Sequence, residues 1–215
     1  MITSINKRSY PKTLIVILGQ DHGKSEYNEK GDVTQIVDEQ GNVIGYNFFN
    51  VDQLINYNGL SDGQVKLSET DLAALNQKLA EVGFTDQLAY GKPTLVYGYV
   101  KTCEKHPDSD HLHVTTVNVG DNEEYQIVCG APNIAQGQKV VVALPGTLMP
   151  NGQQIWPGAL RHVDSYGMIC SARELGLVHA PQKRGILVVP DDFPVGAAFD
   201  PAECDELLAS GKIGL

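Results

Sequence analysis

Short apolar runs alternate along this chain with clusters of Gly, Pro, Asn and Asp, and the rhythm changes once near the middle. Thr13–Leu18 (TLIVIL) is a continuous apolar run of the kind that forms a buried strand. Val33–Val37 and Val43–Phe49 flank Asp38-Glu39-Gln40-Gly41-Asn42, a turn-rich loop, and this arrangement predicts a β-hairpin. Leu72, Leu75, Leu79 and Val82 then recur at helical spacing, predicting a helix over 69–82. Ser68 is placed to accept a hydrogen bond from the exposed N–H groups at its start, and Gly83 to end it in a left-handed cap. Residues 1–91 therefore read as a small α+β domain whose pattern discloses no function.

Past the turn-rich Tyr90-Gly91-Lys92-Pro93, strand-like segments take over: Leu95–Val100, Leu112–Val119, Tyr125–Cys129, Lys139–Ala143 and Ile186–Val189. Regular short strands punctuated in this way predict a barrel or a sandwich. Five of them fit a small all-β barrel of the oligonucleotide-binding (OB) type over residues 92–200, although periodicity alone does not separate it from other small barrels. Residues 201–215 are left as a C-terminal tail.

Composition narrows the class. A chain of 215 residues with 42% hydrophobic and 20% charged residues is ordinary for a soluble protein. It has no apolar run long enough to span a membrane. Met1–Arg8 lacks the apolar stretch of a secretory signal, so the expected location is the cytoplasm. Cys103, Cys129, Cys170 and Cys204 lie far apart with no CxxC pair, which argues against a zinc site and predicts reduced, packed thiols. The net charge of −10 works against nucleic-acid binding, because such binders gain affinity by neutralising phosphates. Residues 1–93 carry 8 basic and 12 acidic groups, and residues 94–200 carry 7 and 11, so neither half is a basic arm.

Three motifs outweigh that charge. Glu104-Lys105-His106-Pro107-Asp108-Ser109-Asp110-His111-Leu112 leads into a strand. Gln126-Ile127-Val128-Cys129-Gly130-Ala131-Pro132-Asn133 follows, with Gly137-Gln138-Lys139 opening the next apolar run to Gly146. Last comes Leu160-Arg161-His162-Val163-Asp164-Ser165-Tyr166-Gly167-Met168-Ile169-Cys170-Ser171-Ala172-Arg173-Glu174-Leu175, ending in Gly185–Pro190. Their order and spacing over about residues 92–200 resemble the tRNA-binding OB domain of phenylalanyl-tRNA synthetase β subunits, of methionyl-tRNA synthetase C-terminal extensions and of stand-alone tRNA-binding proteins. The whole chain, with an α+β domain in front of that module, resembles the bacterial YtpR-type proteins. The resemblance implies a non-catalytic, cytoplasmic, auxiliary binder of structured RNA, most of all tRNA, rather than an aminoacylating enzyme. It also implies an aminoacyl-tRNA synthetase or another protein as a further partner, and a homodimer.

By the same resemblance Asn133, Arg161, Ser165, Met168 and Ser171 fall at positions of RNA contact. Arg161 can fork onto a phosphate, Asn133 and Ser165 can hydrogen-bond base edges or ribose, and Met168 offers an apolar platform. Lys105 and Lys139 are candidate phosphate partners. The bland alternatives are turn or core packing for Ser165 and Met168, a surface ion pair with Asp164 for Arg161, and solvated surface charges for the lysines. Ser171 followed by Glu174 is also a capping box, predicting a short helix through Leu175 that stops at Gly176. His111 and His113 share a strand face, but a metal there is disfavoured, and no cofactor is expected.

No GxSxG elbow, GxxxxGK[ST] loop or GxGxxG fingerprint occurs, so no enzymatic activity is expected. The rival reading is a protein-interaction module that uses the barrel to dock a protein partner, which the acidic balance would suit.

Overall fold

Leu14 and Val16, alternate residues of the first apolar run, are 0% and 1% exposed, so one face of that strand is wholly internal. The computed structural model describes residues 1–213, in two units, Met1–Lys92 and Pro93 onward. The first unit is an antiparallel sheet of β1 (Ile2–Asn6), β2 (Tyr10–Ile17), β3 (Glu26–Lys30), β4 (Val33–Val37), β5 (Val43–Phe48) and β6 (Gly63–Gln64), with helix α1 (Glu69–Glu81). Strand order is β3-β4-β5-β2-β1-β6. The predicted hairpin is β4–β5, and the predicted buried strand is β2, flanked by β5 and β1. Leu75 and Leu79 of α1 join Leu14, Val33, Tyr46 and Phe48 in one core. Ser68 caps α1 as expected: it accepts the Asp71 N–H at 3.1 Å, and Asp71 accepts the Ser68 N–H in return.

The second unit is built on β7 (Leu95–Lys105), β8 (His113–Asn118), β9 (Glu124–Cys129) and β10 (Lys139–Ala143). Two short hairpins follow, β11 (Thr147–Leu148) with β12 (Gln154–Ile155) and β13 (Gly158–Leu160) with β14 (Val163–Ser165). Then come β15 (Met168–Ile169), β16 (Val188–Val189) and α2 (Pro201–Ala209). The main sheet runs β15-β10-β7-β8-β9, and β16 also pairs with β10. It curls so that its two ends meet: the Tyr166 N–H donates to the Gln126 carbonyl of β9 at 2.9 Å, just before the chain enters β15. This is a barrel-like architecture, as the strand spacing predicts, of the OB type that the resemblance implies.

The curl explains why β10 is an unbroken apolar run. Val140 and Val142 face the barrel interior with Val96, Val117, Ile127 and Ile169. Val141 and Ala143 face outward onto a second core with Tyr97, Leu187, Phe193 and Cys204. Buried on both faces, the strand needs no polar alternation. Residues 201–209, which the sequence gives no reason to structure beyond a tail, form the lid of this outer core. Asp200 accepts the Ala202 and Glu203 N–H groups, Pro201 opens the helix, and Cys204 is fully buried 3.5 Å from the Tyr97 hydroxyl. Among the described residues no helix is long and apolar enough to cross a membrane.

Candidate nucleic-acid interface

The β13–β14 hairpin turns through Arg161 and His162, both left-handed at φ 46° and 66°. Such a two-residue turn normally recruits Asn or Gly, so the backbone accepts strain to place these two side chains at the tip. Two contacts tie the tip to the His-Pro loop. The Arg161 guanidinium donates to the Asp108 carbonyl at 2.9 Å. The His106 ring, 4% exposed, accepts the Asp108 N–H on Nδ1 at 3.0 Å. Nε2 must then carry the proton, and it donates to the Leu160 carbonyl at 3.1 Å.

Beside this hairpin lies a cleft of about 360 Å³ walled by Gly130, Met168, Ser171, Arg173, Glu174 and Arg184. Arg173 and Arg184 are exposed, and Arg184 is steered by a bond to the Gly130 carbonyl at 3.2 Å. Glu174 faces inward to its capping box, where the Ser171 N–H and hydroxyl both donate to its Oε2 at 2.7 Å. Two further grooves adjoin. One, about 280 Å³, shares Met168 and Val128 with the cleft and adds Gln153, Gln154, Trp156 and Leu160. The other, about 190 Å³, shares Gly130, Ala131 and Arg184 and adds Asp110, His111 and His113. The three form a continuous band.

The distribution of charge along the β8–β9 hairpin answers the objection from net charge. Asp121, Glu123 and Glu124 sit in and beside its turn, and a Cβ on Gly120 there would stand 2.7 Å from Gly196, in the stretch between Asp191 and Glu206 that holds six of the other eleven carboxylates of the second unit. Only glycine, at φ 93°, allows that approach. The arginine cleft lies at the other end of the same strands, beside Cys129 and Gly130. Five residues at about 3.3 Å each put some 17 Å between them, about two Debye lengths at physiological salt. The acidic pole is screened from the cationic one.

The structure divides the residues expected to touch RNA. Met168 lines both the cleft and the Trp156 groove, Arg161 is exposed at the hairpin tip, and Lys105 is exposed at the end of β7. Ser165 borders the Trp156 groove but is 4% exposed, and its hydroxyl is engaged in fastening strands, accepting the Val128 N–H at 3.1 Å and reaching the Gly167 carbonyl at 3.3 Å. The Asn133 amide is engaged likewise: it brackets Ile186, accepting that N–H at 2.9 Å and donating to that carbonyl at 3.0 Å. Lys139 turns away from the band to hold the carbonyls of Asp191 and Phe193. Ser171 lines the cleft, but its capping box closes a single turn and not the predicted helix. The Arg161–Asp164 pair is absent from the ion pairs of the described residues; Asp164 instead accepts the Tyr166 hydroxyl at 3.3 Å. Sequence reasoning overlooked Arg173, Arg184 and Trp156. The two arginines carried a signal in their charge, but their convergence depends on long-range folding.

Residues 95–198 match the protein family described as "Putative tRNA binding domain", and residues 20–91 match "Domain of unknown function (DUF4479)". The chain is 44% identical over 90% of its length to "Putative tRNA-binding protein YtpR" of Bacillus subtilis, covering 96% of that protein. It is 53% identical over 47% of its length to the phenylalanine–tRNA ligase β subunit of Porphyromonas gingivalis, of which it spans 13%. A solved relative, the MetRS related protein from Pyrococcus horikoshii, aligns with 49% of this chain and 87% of its own at 25% identity and a TM-score of 0.36.

Proposed function

The chain belongs to the YtpR family, and on that premise we propose that it binds structured RNA, tRNA foremost, without catalysing a reaction on it. One observation supports this above all: Arg173 and Arg184 open onto a cleft whose one lining carboxylate, Glu174, is engaged by the Ser171 N–H and hydroxyl, with Asp110 at the edge of the groove beyond Arg184. Phosphates entering there meet guanidinium groups while the acidic pole lies beyond screening distance. Arg161 and Lys105 extend the cationic rim, Met168 supplies an apolar wall, and Ser171 borders it. The groove dimensions and exposed side chains suit RNA loops and irregular backbone, which proteins read by shape and by unstacked bases.

The likeness to phenylalanine–tRNA ligase β subunits supports a synthetase as the second partner and the cytoplasm as the place of action. The homodimer is kept as part of the proposal, to be read by sedimentation. The test of the main reading is a gel-shift titration of purified full chain with folded tRNA across a salt series. The complex is expected at low salt and weakens as salt rises. Absence of a complex at low salt overturns the reading, and a protein that stays bound after nuclease treatment would replace RNA with a protein partner.

A further inference from the structure

The groove of about 280 Å³ beside the arginine cleft holds the only tryptophan of the sequence. Trp156 is half-buried, and its indole N–H donates to Gln154 Oε1 at 3.2 Å, which fixes the ring. The wall also includes Val128, Ile155, Leu160 and Met168, with Gln153, Gln154 and Ser165 as its polar side chains. Leu160 is 42% exposed, so apolar surface faces water here, on the strand just before the Arg161–His162 turn. A flat aromatic and a thioether lining one narrow groove, with side-chain amides at its edge, fit a planar heterocycle that carries hydrogen-bonding groups on its rim. A simple aliphatic side chain would offer nothing to the Gln153 amide or to the NH2 group of Gln154.

What stands next door decides the class of occupant. Met168 and Val128 are common to this groove and to the Arg173–Arg184 cleft, so a molecule lying across Met168 places one end against the indole and the other among the guanidiniums. A nucleotide has that division: an apolar-faced base and, one sugar away, a phosphate. We infer that this groove receives one unpaired base of the bound RNA, stacked at Trp156, while the adjoining cleft holds a phosphate of the same strand. The inference rests on the RNA-binding reading above and specifies which feature of the RNA is gripped. A base inside a regular helix is covered by its neighbours and cannot enter, so the site selects RNA with an unstacked nucleotide.

Because Trp156 is the sole tryptophan, emission excited at the red edge, where tyrosine does not absorb, reports on this groove alone. Titration with folded tRNA is expected to quench the emission and to shield it from acrylamide, and a fully paired RNA duplex of similar length should do neither. Trp156→Ala should lower tRNA affinity at least about fivefold, with the salt dependence of binding unchanged, and Trp156→Phe should recover most of the loss. A tRNA complex with unaltered emission and unaltered acrylamide access overturns the inference and leaves the RNA-binding reading standing, whatever the Ala variant does. Absence of any tRNA complex overturns both.

Discussion

The neutral ring of His106 holds the carbonyl of Leu160 at 3.1 Å while taking the Asp108 N–H on its other nitrogen, so one buried side chain pins the β13–β14 hairpin to the loop before β8. His106→Ala removes both bonds and empties the buried site of the ring. The expected loss of stability is about 1–3 kcal/mol. Denaturant unfolding followed by Trp156 emission measures it, and an unchanged midpoint would mean that the ring is dispensable.

Binding should depend on which cations are removed. Arg173→Ala and Arg184→Ala should each weaken tRNA binding and lower the salt slope by about one. Arg161→Ala should cost about 1.5–3 kcal/mol of binding free energy with the fold intact. Lys101→Ala is the control, because Lys101 pairs with Glu124 at 2.6 Å near the acidic turn. Filter binding at several salt concentrations reads all four, and equal effects at Lys101 and Arg184 would refute the polarised surface.

Barrel closure depends on Gly167, where φ is 147° and an added Cβ would stand 2.8 Å from the Ala143 carbonyl oxygen. Gly167→Ala should therefore destabilise the second unit by about 1–3 kcal/mol. Thermal unfolding tests this, and a wild-type melting temperature would show that β15 can shift at no cost.

The thiols should differ in reactivity. Burial raises all four above the ordinary value of 9.0, with the Glu174 charge adding to the effect at Cys129 and Cys170. Cys129, Cys170 and Cys204 are buried and only Cys103 is partly open, so a thiol reagent should modify Cys103 first and the others on unfolding. Mass mapping after brief native labelling decides it; early modification of Cys170 would contradict the packing.

Asp38 provides an acid-side marker. The Asn42 side-chain amide and the backbone N–H groups of Asn42 and Gln40 hold its carboxyl below the ordinary 3.8. Its folded value is the lower one, so its contribution to the β4–β5 turn is complete above the unfolded value and fades as pH falls through the folded value. Carboxyl NMR of Asp38 should give a midpoint under 3.8, and a midpoint above it would mean that these bonds are not kept in solution.

Strands whose apolar residues carry a pattern were legible: β2, β4–β5, α1 and the β7–β10 frame all stand close to where the spacing put them. β3 was not, because Glu26–Lys30 is exposed throughout and has no apolar face to reveal it. α2 escaped notice because its helix is short and only Cys204 of it is buried. Within the candidate interface, the motifs fall in segments that line the band, but they do not reveal which side chains are already engaged by backbone. Ser165 and Asn133 have side chains equally able to bind RNA or a neighbouring backbone, and their partners, Val128 and Ile186, come from distant parts of the chain. Only folding decides between such uses.

The acidic turn at the far end of the β8–β9 hairpin has a consequence for selectivity. A polyanion approaching from afar meets net repulsion and is welcomed only once it lies within a few ångströms of the arginine cleft. Loose association with any available nucleic acid is thereby discouraged, and retention falls to molecules whose shape brings phosphate and base into the band together. Surplus negative charge then serves as a filter against indiscriminate capture.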